Sequence, residues 1–204
     1  MKPIDKLLFG LLFGFSFPVL FFLIALTLWF CFFQNYNVLH FVITGLIIGI
    51  LSDILFLRKL VSITFELPVW VLIVLYLFYN ICIYGIFMGF PVFNLGMGIV
   101  AGYYYGIKIN FKSFSLTQIE FLKKRVPMFS SLIMFLICLS TGLIALHEKT
   151  MGEELQGMFK LEFQVTEGMI ISIIVTGGLV LIVSQYYLTR IILIKTIKQR
   201  LNLT

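Results

Sequence analysis

The stretch LFGLLFGFSFPVLFFLIALTLWFC, residues 8–31, contains no charged side chain. At about 1.5 Å per residue, a helix of this length crosses the roughly 30 Å hydrocarbon core of a bilayer. Because that core offers no water to unpaired backbone groups, a helix is the expected conformation. The stretch predicts a membrane-spanning helix. Pro18 predicts a kink in it, because a proline has no amide hydrogen for the carbonyl of Gly14.

Five further apolar runs decide the fold class. The chain is 61% hydrophobic, with a mean hydropathy of +1.09. None of the runs shows the alternation of a transmembrane β-strand. The sequence therefore predicts an all-α transmembrane protein, a six-helix polytopic bundle forming one integral membrane domain over 1–204. The predicted spans lie at about 8–31, 38–57, 68–88, 91–107, 127–146 and 168–194.

The basic residues flank alternate ends of these spans and predict the orientation. Only Lys149 and Lys160 fall on the outer side, and short loops rich in Lys and Arg stay cytoplasmic. We therefore expect both termini inside, most simply at the cell membrane. The net charge of +6 then indicates contact with anionic lipids at the inner face rather than with nucleic acid. The inner basic residues are Lys2, Lys6, Arg58, Lys59, Lys108, Lys112, Lys123, Lys124, Arg125, Arg190, Lys195, Lys198 and Arg200.

Two loops are long enough to carry structure of their own. In the inner loop, 108–126, Ser115 and Gln118 have the spacing of a capping box. Leu116, Ile119 and Leu122 follow at helical spacing, which predicts a cytoplasmic-side amphipathic helix in the headgroup layer. The outer loop, 147–167, is acidic; we expect a helical turn over 153–156 and an extended segment over 159–166, where apolar and polar residues alternate.

Small residues recur at helical spacing in several spans. Such stripes let helix backbones approach closely, because lipid provides little hydrophobic drive between helices. They predict tight packing within the bundle, a homo-oligomer or a larger membrane complex. The glycines of these stripes are Gly10, Gly14, Gly45, Gly49, Gly98, Gly102 and Gly106.

Few polar residues inside the spans could form a site. Asp53 lies near the inner end of the second span, where we expect it to pair with Arg58 and Lys59 or else to gate an inward-facing cavity. The uncharged candidates are amides, which serve either as interhelical hydrogen-bonding groups or as ligand contacts. They are Asn80, Asn94 and Gln185.

Motifs for catalysis or cofactor binding are not found in the sequence. His40, His147 and Glu148 lack the paired spacing of a zinc site, and the three cysteines form no CxxC pair. No P-loop or dinucleotide fingerprint is present. We therefore predict no catalytic set, no metal and no cofactor, although the question of enzymatic activity stays open.

Three functions fit these features. The first is a small permease or channel, alone or as a transporter subunit, which the polar residues at several depths and the kinked first span favour. The second is a non-catalytic accessory or assembly protein, which the glycine stripes and the acidic outer loop favour. The third is a membrane enzyme acting on a lipid-linked substrate. We take the first as the leading hypothesis.

Overall fold

The computed structural model describes residues 3–87, 89–112, 114–148, 151–160 and 164–201. Over these ranges the chain forms eight α-helices and one 3-10 turn, without a strand, which confirms the all-α prediction there. The helices are α1 (Pro3–Gly14), α2 (Ser16–Phe32), α3 (Val38–Ser62), α4 (Val69–Ile86), α5 (Leu95–Phe111), α6 (Leu116–His147), α7 (Met151–Phe159) and α8 (Glu167–Leu201), and the 3-10 turn is Pro91–Asn94.

Five helical segments in the described part of the chain are long and apolar enough to cross a membrane, and they indicate a membrane protein. α5 differs from them, because its 17 residues extend only about 26 Å, less than the hydrocarbon core of a typical bilayer. The predicted fourth span, 91–107, and the orientation of the bundle therefore stay predictions. The five segments are Asp5–Phe32, Val38–Ser62, Val69–Ile86, Leu116–His147 and Glu167–Gln199.

The chain divides into two compact units, Met1–Leu72 and Ile73–Thr204, which we call the N-terminal and the C-terminal unit. In the N-terminal unit α1 ends at Gly14 and α2 begins at Ser16, but Phe15 between them is also in the helical conformation (φ −87°, ψ −14°), and its amide donates to the Leu11 oxygen at 3.1 Å. The first span therefore stays helical through Phe15, and the kink predicted at Pro18 stays a prediction. The grouping of all residues into one domain stays a prediction.

Glycines bring α3 close to α2 in the N-terminal unit. A Cβ added at Gly45 would lie 2.7 Å from the Cβ of Ala25, and one added at Gly49 would lie 2.5 Å from the Cα of Pro18. Both distances are far below van der Waals contact, so the two backbones touch without room for a side chain. The helix containing Pro18 is thus packed directly on α3.

In the C-terminal unit both α5 and α6 pack against α8. The link between α4 and α5 is short, and Gly89 adopts a φ of +81°, a conformation that only glycine takes readily. Pro91 opens the 3-10 turn, where its missing amide hydrogen costs nothing. The residues of this turn therefore enter α5 directly, with Asn94 at the junction.

α6 differs from the prediction. The capping box is confirmed, since Ser115 Oγ accepts from the amide of Gln118 at 3.3 Å and Gln118 Oε1 accepts from the amide of Ser115 at 3.1 Å. However, the helix continues without a break through Pro127 to His147. The predicted amphipathic helix is thus the beginning of α6 rather than a separate element. Two of its three apolar side chains, Ile119 and Leu122, find protein partners in a cluster of Ile109, Leu193 and Ile197, whereas Leu116 is exposed.

The outer loop also contains a helix. α7 covers the helical turn predicted at 153–156 and continues to Phe159, and Lys160 follows it with a φ of +50°. The first residue of the predicted extended segment is therefore helical. Residues 161–163 lie outside the described part of the chain, and 164–166 have no regular secondary structure.

Candidate polar site in the C-terminal unit

A group of polar side chains is buried among α4, α5, α6 and α8. Asn94, Ser130 and Thr189 have no exposed surface, and Gln185 and Asn80 are only 1% and 3% exposed. Burying so many hydrogen-bonding groups in an apolar bundle is costly unless they find partners. The group therefore calls for a complete account of its hydrogen bonds. Tyr76, which is 8% exposed, completes it.

Glycines on α5 make room for the polar residues of α8. A Cβ added at Gly98 would lie 2.6 Å from both Gln185 Nε2 and Thr189 Oγ1. At Gly102 an added Cβ would lie 2.5 Å from the backbone oxygen of Thr189, and at Gly106 it would lie 2.6 Å from Thr196 Cβ. The glycine stripe of α5 thus lets the polar face of α8 lie directly on the α5 backbone.

Ser130 is the centre of the first hydrogen-bonded cluster. Its Oγ lies 2.9 Å from the hydroxyl of Tyr76 and accepts from Gln185 Nε2 at 2.7 Å. Thr189 Oγ1 also donates to Ser130 Oγ, at 3.1 Å. Gln185 Nε2 lies 3.2 Å from the Tyr76 hydroxyl as well. Side chains from α4, α6 and α8 are therefore joined at one point.

A second cluster joins α4 to the beginning of α5. Asn94 Nδ2 donates to the backbone oxygen of Asn80 at 2.8 Å and to its side-chain Oδ1 at 3.0 Å. Asn80 Nδ2 donates in turn to the backbone oxygen of Tyr76 at 2.8 Å. Tyr76 thus belongs to both clusters, through its backbone in one and its hydroxyl in the other. The two clusters form a continuous row of polar groups.

The row has a counterpart nearer the α4–α5 link. There Thr141 Oγ1 lies 3.2 Å from the hydroxyl of Tyr84 and 3.3 Å from the backbone oxygen of Gly89. Asn94 follows Gly89 by five residues and Tyr84 follows Asn80 by one helical turn. Polar groups therefore recur along α4 and α6 from this link to the Ser130 cluster.

Two buried acceptors in the row have no hydrogen-bond partner among the described residues. They are Asn94 Oδ1 and Gln185 Oε1. Leaving a buried acceptor unsatisfied costs about 1–3 kcal/mol, so such a group in a native structure needs an explanation. Asn94 caps the beginning of α5 four residues before Gly98, and Gly98 contacts Gln185. Both acceptors therefore belong to the same region, between α5 and α8.

The structure brings three of the four candidate polar residues of the sequence into this region, namely Asn80, Asn94 and Gln185. Asp53 lies in the N-terminal unit, where its carboxylate faces Gly14. Of the predicted glycine stripes, those of α3 and α5 contact a neighbouring helix, as does Gly14. An added Cβ at Gly10 meets no atom of the described residues within 4 Å.

Sequence reasoning did not select Tyr76, Ser130 or Thr189. A signal was present for two of them. Tyr76 and Asn80 are four residues apart, as are Gln185 and Thr189, so each pair shares one helix face. Ser130 gave no such signal, because its partners lie more than 50 residues away in the chain.

The chemistry of this row is that of hydrogen bonding. Its side chains are amides and hydroxyls, and none carries a charge. Within the described ranges, no three His, Cys, Asp or Glu side chains come together in a way that could hold a metal ion. The row can therefore offer donors and acceptors to a polar molecule.

Comparison with family models, with curated proteins and with solved structures found no match to this chain.

Proposed function

We propose that this chain is a small permease or channel, alone or as a transporter subunit, and that its solute path follows the polar row of the C-terminal unit. The observation that carries the proposal is the pair of buried, unpartnered acceptors, Asn94 Oδ1 and Gln185 Oε1. A network that served only to hold helices together would gain by satisfying both oxygens. A passing solute with N–H or O–H donors would satisfy them in turn.

The composition of the row favours an uncharged polar solute. An ion that leaves water needs a counter-charge or several strong dipoles, and Tyr76, Ser130, Gln185 and Thr189 supply hydroxyls and one amide. The one buried charge among the described side chains of this unit is Lys108. Its Nζ lies 5.5 Å from the centre of the Tyr104 ring. A fixed positive charge there disfavours cations further.

The path is proposed for a multi-pass protein of the cell membrane with both termini inside. In that orientation Asn94 is nearer the outer side, Gln185 lies deeper, and Lys108 is nearest the inner side. A solute entering from outside would therefore meet the amide of Asn94 first and that of Gln185 next.

The test is solute permeation into liposomes that contain the full-length protein. Stopped-flow light scattering would follow swelling with glycerol or urea outside. We expect swelling faster than that of protein-free liposomes, and slower for Gln185→Met and Asn94→Leu at equal protein content. Thr176→Val is the matched control, because this exposed α8 hydroxyl bonds only within its own helix, to the Ser172 oxygen at 2.6 Å.

Two outcomes would contradict the proposal. In the first, the wild-type protein swells liposomes no faster than lipid alone with either solute. In the second, Gln185→Met and Asn94→Leu melt at lower temperature but retain permeability in proportion to folded protein. The second result would make the row a purely structural network and would favour an accessory or assembly protein.

A further inference from the structure

Asp53 in α3 is a carboxylate within a membrane-spanning helix, and it lies against the end of α1. A Cβ added at Gly14 would be 3.3 Å from Asp53 Oδ2, with the methyl groups of Leu57 at 3.7 and 3.8 Å. The other carboxylate oxygen, Oδ1, is buried and has no hydrogen-bond partner in the residues that the structure describes. The carboxylate is therefore held in place by packing and left chemically unsatisfied.

The bases that follow Asp53 do not neutralise it. The sequence predicts pairing with Arg58 and Lys59, but neither base forms a salt bridge with Asp53 in the part of the chain that the structure describes. The reason is the helix itself. At about 100° per residue, Arg58 and Lys59 are turned roughly 140° and 120° away from Asp53, whereas Leu57 shares its face.

The backbone beside Asp53 is also unusual. The backbone between α1 and α2 stays helical at Phe15. The carbonyl of Gly14 nevertheless lacks the usual donor four residues later, because Pro18 has no amide hydrogen. A carbonyl freed by a proline within a membrane needs another partner. Gly14, having no side chain, leaves its backbone open to the carboxylate.

The other charged groups of the unit lie further away along the helices. α1 carries Asp5, which is buried and engaged in contacts of its own, and Lys6, about 12 Å along the helix from Gly14. α2 has no charged residue, and α3 adds Arg58, Lys59 and, about 20 Å along the helix from Asp53, His40. Glu66 lies beyond the end of α3. A carboxylate left in this position would be an isolated charge, which is costly within a membrane.

We propose that the Asp53 carboxylate and the Gly14 carbonyl form a binding site for a monovalent cation, either a proton or one alkali-metal ion. One carboxylate and one carbonyl match a single positive charge, whereas a divalent ion prefers several carboxylates. A proton would bind to one carboxylate oxygen of Asp53, and the resulting O–H would donate a hydrogen bond to the carbonyl of Gly14. An alkali-metal ion would instead lie between a carboxylate oxygen of Asp53 and the carbonyl oxygen of Gly14. The site belongs to the N-terminal unit and does not depend on the solute path proposed above.

The experiment is thermal unfolding of the full-length protein in nanodiscs. Lithium, sodium, potassium and choline chlorides would be compared at equal ionic strength, each from pH 5 to pH 8. If the site binds an alkali-metal ion, that ion raises the melting temperature above the choline value, because a ligand of the folded state stabilises it. If it binds a proton, the melting temperature rises as the pH falls in every salt, and a protonated-carboxyl infrared band is present.

Asp53→Asn should lose the response, and Glu66→Gln, which alters an exposed carboxylate of the same unit, should keep it. Should Asp53→Asn fail to fold, Gly14→Ala serves instead, because its methyl group would displace the carboxylate and weaken the response while keeping Asp53. The proposal is overturned if the wild-type protein responds to neither ion nor pH. It is equally overturned if the response of Asp53→Asn, or of Gly14→Ala when that variant stands in, equals that of the wild-type protein.

Discussion

The side-chain amide of Asn94 donates to two oxygens of one residue, the backbone oxygen and the Oδ1 of Asn80, at 2.8 and 3.0 Å. This pair joins the beginning of α5 to α4 across the short link that contains Gly89. In an apolar surrounding, such an interhelical bond is worth about 1–2 kcal/mol at most. The contact therefore contributes modestly to stability, and it also fixes the position of the polar row between α4 and the beginning of α5.

Replacing Asn80 by leucine should lower the free energy of unfolding by about 1–2 kcal/mol, because Asn94 Nδ2 loses one of its acceptors. Asn110→Leu is the control, since Asn110 is exposed and bonds to Gly106 of its own helix at 2.7 Å. We expect a smaller change there. Chemical unfolding in detergent would measure both. Equal losses of unfolding free energy in the two variants would show that the bond between Asn80 and Asn94 stabilises the protein no more than a bond within one helix.

Adding a methyl group to α5 should have opposite effects at two glycines. At Gly102 it would lie 2.5 Å from the backbone oxygen of Thr189, so α8 must move, at a cost of about 1–3 kcal/mol. At Gly96 none of the residues that the structure describes has an atom within 4 Å of an added Cβ, and alanine should stabilise the helix by about 0.5–1 kcal/mol. Melting temperatures of Gly102→Ala and Gly96→Ala would test this. A Gly102→Ala variant that melts at the wild-type temperature would mean that α5 and α8 are not in backbone contact.

The features that follow from local rules could be predicted from the sequence. Hydropathy marks the membrane-spanning helices, and Ser115 with Gln118 marks the beginning of α6. Each depends on residues within one or two turns of each other. The separation of Asp53 from its bases could also have been predicted, because it follows from the angle between residues five and six apart on a helix.

The features that depend on distant partners could not be predicted. Whether Leu122 faces lipid headgroups or protein depends on Leu193 and Ile197, which are about 70 residues further along the chain. The same amphipathic pattern fits both surroundings. Likewise, the partners of Ser130 come from α4 and α8, and no spacing within the sequence connects them.

Substitution of two leucines at the beginning of α6 can show whether this segment packs against protein or lies in the lipid headgroups. Leu122 packs against the cluster of Ile109, Leu193 and Ile197, whereas Leu116 is 83% exposed. Leu122→Ser should therefore lower the free energy of unfolding by about 1–3 kcal/mol, through lost burial and a poorly satisfied hydroxyl. Leu116→Ser should change it by no more than about 0.5 kcal/mol. Both free energies would be measured in detergent. A larger loss for Leu116→Ser than for Leu122→Ser would indicate that this segment lies in the headgroup layer.

Single cysteines can decide both the orientation and whether α5 crosses the bilayer. Lys112 and Gly157 are exposed, and an added Cβ at Gly157 meets none of the described atoms within 4 Å. In a background without Cys31, Cys82 and Cys138, an impermeant thiol reagent on intact cells should label Gly157→Cys and spare Lys112→Cys until the cells are opened. Six spans with both termini inside require this pattern, because the basic residues hold the loop at Lys112 in the cytoplasm.

If α5, which is only 17 residues long, does not cross, Lys112→Cys is labelled on intact cells and Gly157→Cys is protected. Glu66→Cys is the reference, because with the amino terminus inside it is protected in either case. Its labelling on intact cells would invert the whole orientation.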